Sequence, residues 1–147
     1  MKSYEDFKLA IGKRESSGVY SCVNKLGYLG KYQFGMARLC DLGLTRRKDP
    51  LGKGFANGRF EFIRPEGLET FLSSPELQEA CFDLHVKLLK DKCLKIAPEN
   101  LSGAIAACHL LGVGGLTDFI RHKIDDCDEF GTKLSSYYTE FSGYEIP

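Results

Sequence analysis

Residues Glu15 to Gly35 read ESSGVYSCVNKLGYLGKYQFG. Gly18, Gly27, Gly30 and Gly35 alternate here with Tyr20, Tyr28, Tyr32 and Gln33. A stretch so rich in glycine does not continue a helix, so it reads as a helix end running into a glycine-shaped loop or hairpin. Upstream, Ser3 and Asp6 make a capping-box-like start, with Asp in place of Glu or Gln. Phe7, Ala10 and Ile11 follow at helical spacing and mark a buried face. Glu15 comes four residues after Ile11, on that face and near the helix C-terminus. Burial and the helix dipole both disfavour a charged carboxylate at such a place, which suits a general acid. A solvated carboxylate at the rim of the core has the same spacing, and periodicity leaves both readings open.

Size and composition narrow the classes. The 147 residues predict a single domain, 1–147, with a full core. Apolar residues make up 43% and charged residues 27%, ordinary values for a soluble globular protein. Twenty basic residues balance twenty acidic ones with no charge run, so nucleic acid is not an expected partner. No apolar stretch is expected to reach the roughly 20 residues of a membrane span. The opening MKSYEDFKLAIGKRE carries acids and no apolar core, so no secretory signal is expected and synthesis is expected in the cytoplasm.

Cys22, Cys40, Cys81, Cys93, Cys108 and Cys127 form no CxxC pair and lie at no zinc-finger spacing from a histidine, so neither a metal nor another cofactor is expected. Several fall on apolar helix faces and read as buried thiols; delivery to an oxidising compartment would allow bridges. Further along, Phe34 to Leu42 reads as a short helix stopped by Gly43. Thr45 to Arg64 is a polar loop or flap whose Arg and Lys either meet carboxylates or are simply solvated. Pro65 to Leu72 reads as a helical turn or short helix. Ser74 caps a helix with Pro75 in its first turn and the stripe Leu77, Ala80, Cys81, Leu84, Leu88. Ser102 caps a helix that is apolar all round and ends at the glycines from Gly112. Two more helices follow, one with Leu116, Phe119, Ile120 and Ile124, the other with Leu134, Tyr137, Tyr138 and Phe141. The fold class is therefore mainly α (α+β), with a small β element expected near residues 19 to 33.

Glu15-Ser16, Asn24 and Gly27-Tyr28-Leu29-Gly30-Lys31-Tyr32-Gln33 resemble the signature of the lysozyme-like lytic transglycosylases and endolysin-like peptidoglycan hydrolases. That family has Glu-Ser, a polar residue nine positions after the Glu, then Gly-Ala-x-Gly-Leu-Met-Gln. Gly27, Gly30 and Gln33 keep the spacing, while Tyr28 replaces Ala and Lys31-Tyr32 replaces Leu-Met. A second block, Ala107-Cys108-His109-Leu110-Leu111-Gly112-Val113-Gly114, is similar to the family's Ala-Tyr-Asn-Ala-Gly-x-Gly, with His109 where the family has Tyr and Leu110 where it has Asn. The resemblance implies a helical lobe, a small β or loop lobe and an active-site cleft between them. It implies cleavage of the MurNAc–GlcNAc β-1,4 bond of peptidoglycan.

Phage-type lysozymes place an Asp where this chain has Asn24, and no acid lies between Glu15 and Asp41. Glycosidases usually need two carboxylates. A lytic transglycosylase works with one, so Glu15 is the catalytic acid that the resemblance implies, and the product is a 1,6-anhydroMurNAc end. Asn24 would orient Glu15 or the substrate N-acetyl group, and Gln33 would hydrogen-bond the sugar. Gly30 belongs to the same implied substrate-binding set, as does His109. Tyr28, Tyr32 and Phe34 would supply stacking faces, or else pack the hairpin. The alternatives are a hydrolytic muramidase on the same fold, a Cys–His amidase of the same wall, and an inactive glycan-binding module. The implied partners are glycan strands, with an immunity or inhibitor protein, or a phage or secretion carrier that brings a monomer to the periplasm or cell wall.

Overall fold

The structure, a computed structural model, describes all of residues 1–147. It is mainly helical with one small two-stranded sheet, and the chain divides into two compact units. One holds Gly12–His85; the other holds Met1–Ile11 with Val86–Pro147.

The unit Gly12–His85 takes the end of α1 (Tyr4–Ser16), then the glycine-rich loop, α2 (Met36–Asp41), β1 (Thr45–Arg47), β2 (Phe60–Phe62), α3 (Leu68–Leu72) and the first half of α4 (Pro75–Ile96). The strands are antiparallel, with Arg46 opposite Glu61 and Arg47 opposite Phe60. This corrects the expected position of the β element. Residues 19 to 33 hold only isolated bridges, Val23 with Leu29, and Leu29 with Phe34 just beyond, while the sheet lies in the segment expected to be loop. Strands of three residues, one of them Thr-Arg-Arg, are too short and too charged for an alternating pattern to reveal.

α4 starts as expected, with Ser74 Oγ accepting from the Leu77 N–H at 3.3 Å. Its buried face differs from the expected stripe. Gln78, Cys81, Phe82 and His85 are buried, whereas Leu84 is 40% and Leu88 47% exposed. Two polar residues are buried because each has a partner: the Gln78 amide is bonded on both sides, and His85 Nδ1 accepts from Arg38 Nε at 2.8 Å. The Phe82 ring stacks on Tyr32 with centroids 4.1 Å apart, and Phe34 meets His85 edge-on at 5.5 Å.

In the other unit, Ser3 and Asp6 exchange the two capping bonds, Asp6 N–H to Ser3 Oγ at 3.1 Å and Ser3 N–H to Asp6 Oδ2 at 3.3 Å. Phe7 is fully buried against Phe141 and Tyr144. The tail pairs with the chain start, the Glu145 N–H donating to the Lys2 carbonyl at 2.8 Å. α5 (Leu101–His122) is capped by Asn100 Oδ1, not by Ser102 as expected. Ser102 instead donates to the Phe141 carbonyl at 2.6 Å and so fastens the end of α6 (Leu134–Glu140). At Gly112 (φ 74°, ψ 175°) the helix is broken, as the glycine cluster predicts. Within Pro98–His122 an 18-residue window reaches mean hydropathy 1.5, so by length and composition this helix is apolar enough to cross a membrane, where the sequence reading expected no such stretch. Its Ser102–Cys108 turns are packed inside the protein, as a core helix requires, and no membrane span is established.

All six cysteines are thiols. Burial pushes Cys81 up to about 11. Cys93 and Cys108 are buried with their Sγ atoms 3.6 Å apart, and that contact lowers the Cys93 thiol despite its burial.

The observed face of α4 gives a direct test. Phe82→Ala should destabilise the chain by about 3–5 kcal/mol, the range for deleting a packed phenylalanine. Leu84→Ala should change stability by no more than about 0.5 kcal/mol. Urea unfolding followed by circular dichroism measures both, and the reverse order would restore the stripe inferred from the sequence.

Candidate active site

The site is built from the end of α1 and the loop that follows it. Gly12 stands in the helix interior, where glycine costs about 1 kcal/mol relative to alanine. Its reason is the Lys31 stem lying across it: a Cβ at Gly12 would come within 2.6 Å of Lys31 Cε and 3.0 Å of Cγ. Glu15 is partly exposed on the last turn of α1. Ser16 beside it does three things with one hydroxyl. It donates to the Lys31 carbonyl at 2.7 Å, lies 3.2 Å from the Gly12 carbonyl, and accepts from the Val19 N–H at 3.0 Å. Ser17 (φ 56°) and Gly18 (φ 78°) then turn the chain out of the helix. The Glu-Ser pair and the Gly-x-x-Gly-x-x-Gln segment are thereby one physical object.

The loop itself is a tight double turn. The Asn24 side-chain oxygen accepts from the N–H groups of Leu26 (2.9 Å) and Tyr28 (3.0 Å), an Asx turn that folds the tip. Leu29 and Phe34 exchange both backbone bonds at 2.9 Å. Between them, Gly30 (φ 78°) and Gln33 (φ 53°) are left-handed. Gln33 Nε2 donates to the Gly30 carbonyl at 3.0 Å and is 3.4 Å from the Cys22 carbonyl. Its amide nitrogen is thus spent on the loop's own backbone, which compensates its unusual φ.

Two adjacent residues on α4 that the sequence reading passed over hold this loop. Gln78, 1% exposed, accepts the Lys31 N–H at 2.9 Å and donates to the carbonyls of Tyr20 and Phe71, both at 3.0 Å. A Cβ on Gly30 would collide with that amide. Glu79 accepts from Tyr32 Oη at 2.6 Å, Tyr20 Oη at 2.7 Å and Lys31 Nζ at 2.9 Å. Lys31 Nζ also lies 5.1 Å from the centroids of both the Tyr20 and Tyr32 rings. Partial burial, with Glu79 next to it, raises the Tyr20 hydroxyl above its usual value. No local sequence pattern marks Gln78 or Glu79; only a long-range contact reveals them.

This geometry redistributes the expected substrate contacts. Tyr32 is fully buried and Phe34 is 2% exposed, so neither offers a ring face to a sugar; both pack the hairpin with Phe82. Gly30 is a packing glycine. Asn24 and Gln33 shape the turn. Tyr28 keeps a partly exposed ring, which lies against Gly35. His109 is on α5, partly buried, in the other unit. No group of His, Cys, Asp and Glu in the chain is placed to hold a metal ion.

Two glycines with the same φ separate backbone strain from collision. Gly18→Ala has nothing within 4 Å of its new Cβ and should lose only the left-handed penalty of about 1–2 kcal/mol. Gly30→Ala adds the collision with Gln78 and should lose about 1–3 kcal/mol more. Equal losses in chemical denaturation would mean that the Gln78 contact carries no weight.

The chain matches no protein-family model, no curated protein and no solved structure.

Proposed function

We propose that the protein is a peptidoglycan-cleaving glycosidase of lysozyme-like type, a lytic transglycosylase in which Glu15 is the single catalytic carboxylate. The observation that carries this reading is the Ser16 hydroxyl bound to the Lys31 carbonyl at 2.7 Å. It joins the Glu-Ser pair to the glycine loop, and it leaves Glu15 partly exposed at the end of a rigid helix. A general acid needs both properties, access to substrate and a fixed position.

In the proposed reaction Glu15 protonates the glycosidic oxygen as the bond breaks. The N-acetyl group of the substrate stabilises the sugar cation. The Glu15 carboxylate then takes the proton of the muramyl 6-hydroxyl as that oxygen closes on the anomeric carbon. Acid and base are one residue in successive steps, and no water enters. Asn24 fits the scheme by what it lacks: it carries no charge, and its oxygen is held in its own turn. Action on the cell wall after delivery by a phage particle or secretion machine belongs to the same proposal.

Glu15→Gln should lower lytic activity on purified peptidoglycan by at least about a hundredfold, with the unfolding midpoint unchanged. Near-normal turbidity clearance would remove the assignment. Mass spectrometry of the wild-type digest should show 1,6-anhydromuramyl ends, each one water lighter than a hydrolysed end. A digest with reducing ends alone would make the protein a hydrolytic muramidase. Asn24→Asp keeps an oxygen for the Leu26 and Tyr28 N–H groups, so the loop should fold, and some product should shift to reducing ends.

A further inference from the structure

The hairpin β1–β2 carries a feature that the proposed chemistry does not use. On a chain of zero net charge, the segment from Arg46 to Arg59 holds Arg46, Arg47, Lys48, Lys53 and Arg59 against the single acid Asp49. Asp49 is exposed and accepts from the Leu51 N–H at 3.0 Å, and Arg46 is paired with Glu61 at 2.9 Å. Lys48 and Lys53 are exposed. In their midst Phe55 is 75% exposed, among the largest exposures of any aromatic ring in the chain.

That ring is not loose. The Arg47 guanidinium carbon lies 4.9 Å from the centroid of Phe60, its cross-strand partner, and 5.3 Å from the centroid of Phe55. Two residues beyond Phe55, Asn57 ties the hairpin to the glycine loop on both sides. Its Nδ2 donates to the Leu26 carbonyl at 2.8 Å, and its Oδ1 accepts from the Met36 N–H at 2.9 Å. The hairpin tip is therefore docked beside the loop that begins at Glu15, within the same compact unit.

We infer that this tip is a glycan-binding platform, in which Phe55 stacks on a sugar ring and Arg47, Lys48 and Lys53 receive the carboxylates of the peptide stems. The inference rests on the proposed substrate and adds the residues that read it. A guanidinium lying on aromatic faces keeps its in-plane N–H groups for a carboxylate. An exposed ring held in place needs little ordering when it meets a sugar. With Tyr32 and Phe34 buried, Phe55 takes the stacking role that those two residues cannot. An anionic lipid surface is the rival occupant. Leu51, 92% exposed at the same tip, is the residue it would add, but a lipid surface makes no use of the Asn57 tether.

The chain contains no tryptophan, so Phe55→Trp introduces a single clean reporter. The experiment uses the full chain with Glu15→Gln and Phe55→Trp. Its fluorescence is titrated with soluble glycan strands bearing free-carboxylate stems, with amidated strands, with chitooligosaccharide, and with phosphatidylglycerol vesicles. The emission should shift with the free-carboxylate strands, and amidation or a combined Arg47→Gln, Lys48→Gln change should weaken that binding roughly tenfold. In the catalytically intact chain, Phe55→Ala should raise KM roughly tenfold and leave kcat in place. An unresponsive reporter in a chain whose parent digests peptidoglycan would overturn the platform and leave the glycosidase reading intact. A response to vesicles alone would overturn it in favour of lipid. Binding of stem-bearing strands by a parent that releases no product would sustain the platform and remove the enzyme.

Discussion

The unit Gly12–His85 depends on one buried amide. Gln78 is almost wholly inaccessible, yet it spans three separate segments through hydrogen bonds to Lys31, Tyr20 and Phe71. A buried primary amide left unsatisfied costs about 1–3 kcal/mol, so the three segments must arrive together or the helix cannot bury this face. The requirement extends to Gly30, where any side chain would occupy the space of the amide. It extends also to Lys31. Its backbone N–H is held by Gln78, its carbonyl by Ser16, and its ammonium by Glu79. One residue of the loop is thereby fixed at three points, two of them on α4 and one at the end of α1.

This arrangement gives Lys31 and Tyr32 a structural role where the lytic-transglycosylase signature that the loop resembles has Leu and Met. The ammonium and the phenol both serve Glu79, with Tyr20 as a third donor. A partly buried carboxylate with three donors is well compensated, and removing any single donor would leave charge with fewer partners. Lys31-Tyr32 and Glu79 are then a matched set: hydrogen-bonding residues in the loop answer an acid on α4. The stacked Tyr32–Phe82 pair adds the apolar half of the same contact.

The consequence for the proposed function is that the chain beside Glu15 is fixed through Ser16 and Lys31. The acid follows from its neighbour Ser16, Ser16 from Lys31, and Lys31 from Gln78 and Glu79. In the proposed reaction Glu15 must hold its place through both protonation states, and a helix end tied to a clamped loop suits that. The hairpin joins the same assembly through Asn57, which bonds to Leu26 and Met36 on either side of the loop.

Local chemistry alone determined the helices with explicit signals. Ser3 with Asp6, and Ser74 with Pro75, marked two helix starts that form as expected, because caps act over three residues and need nothing distant. The break at Gly112 was legible for the same reason. The Glu-Ser and glycine spacing singled out the two segments that the Ser16–Lys31 bond joins. Tertiary structure decided the rest. Which side of α4 faces inward was hidden because hydropathy ranks Leu84 and Leu88 above Gln78 and His85. Burial is granted to polar groups whose partners come from elsewhere in the chain. The roles of Tyr32, Phe34 and Gln33 were hidden likewise, since a Gly-Tyr-rich loop shows which residues it contains and not which way each one points. The strands Thr45–Arg47 and Phe60–Phe62 form because each supplies the other's hydrogen bonds, a cause that neither short segment carries in itself.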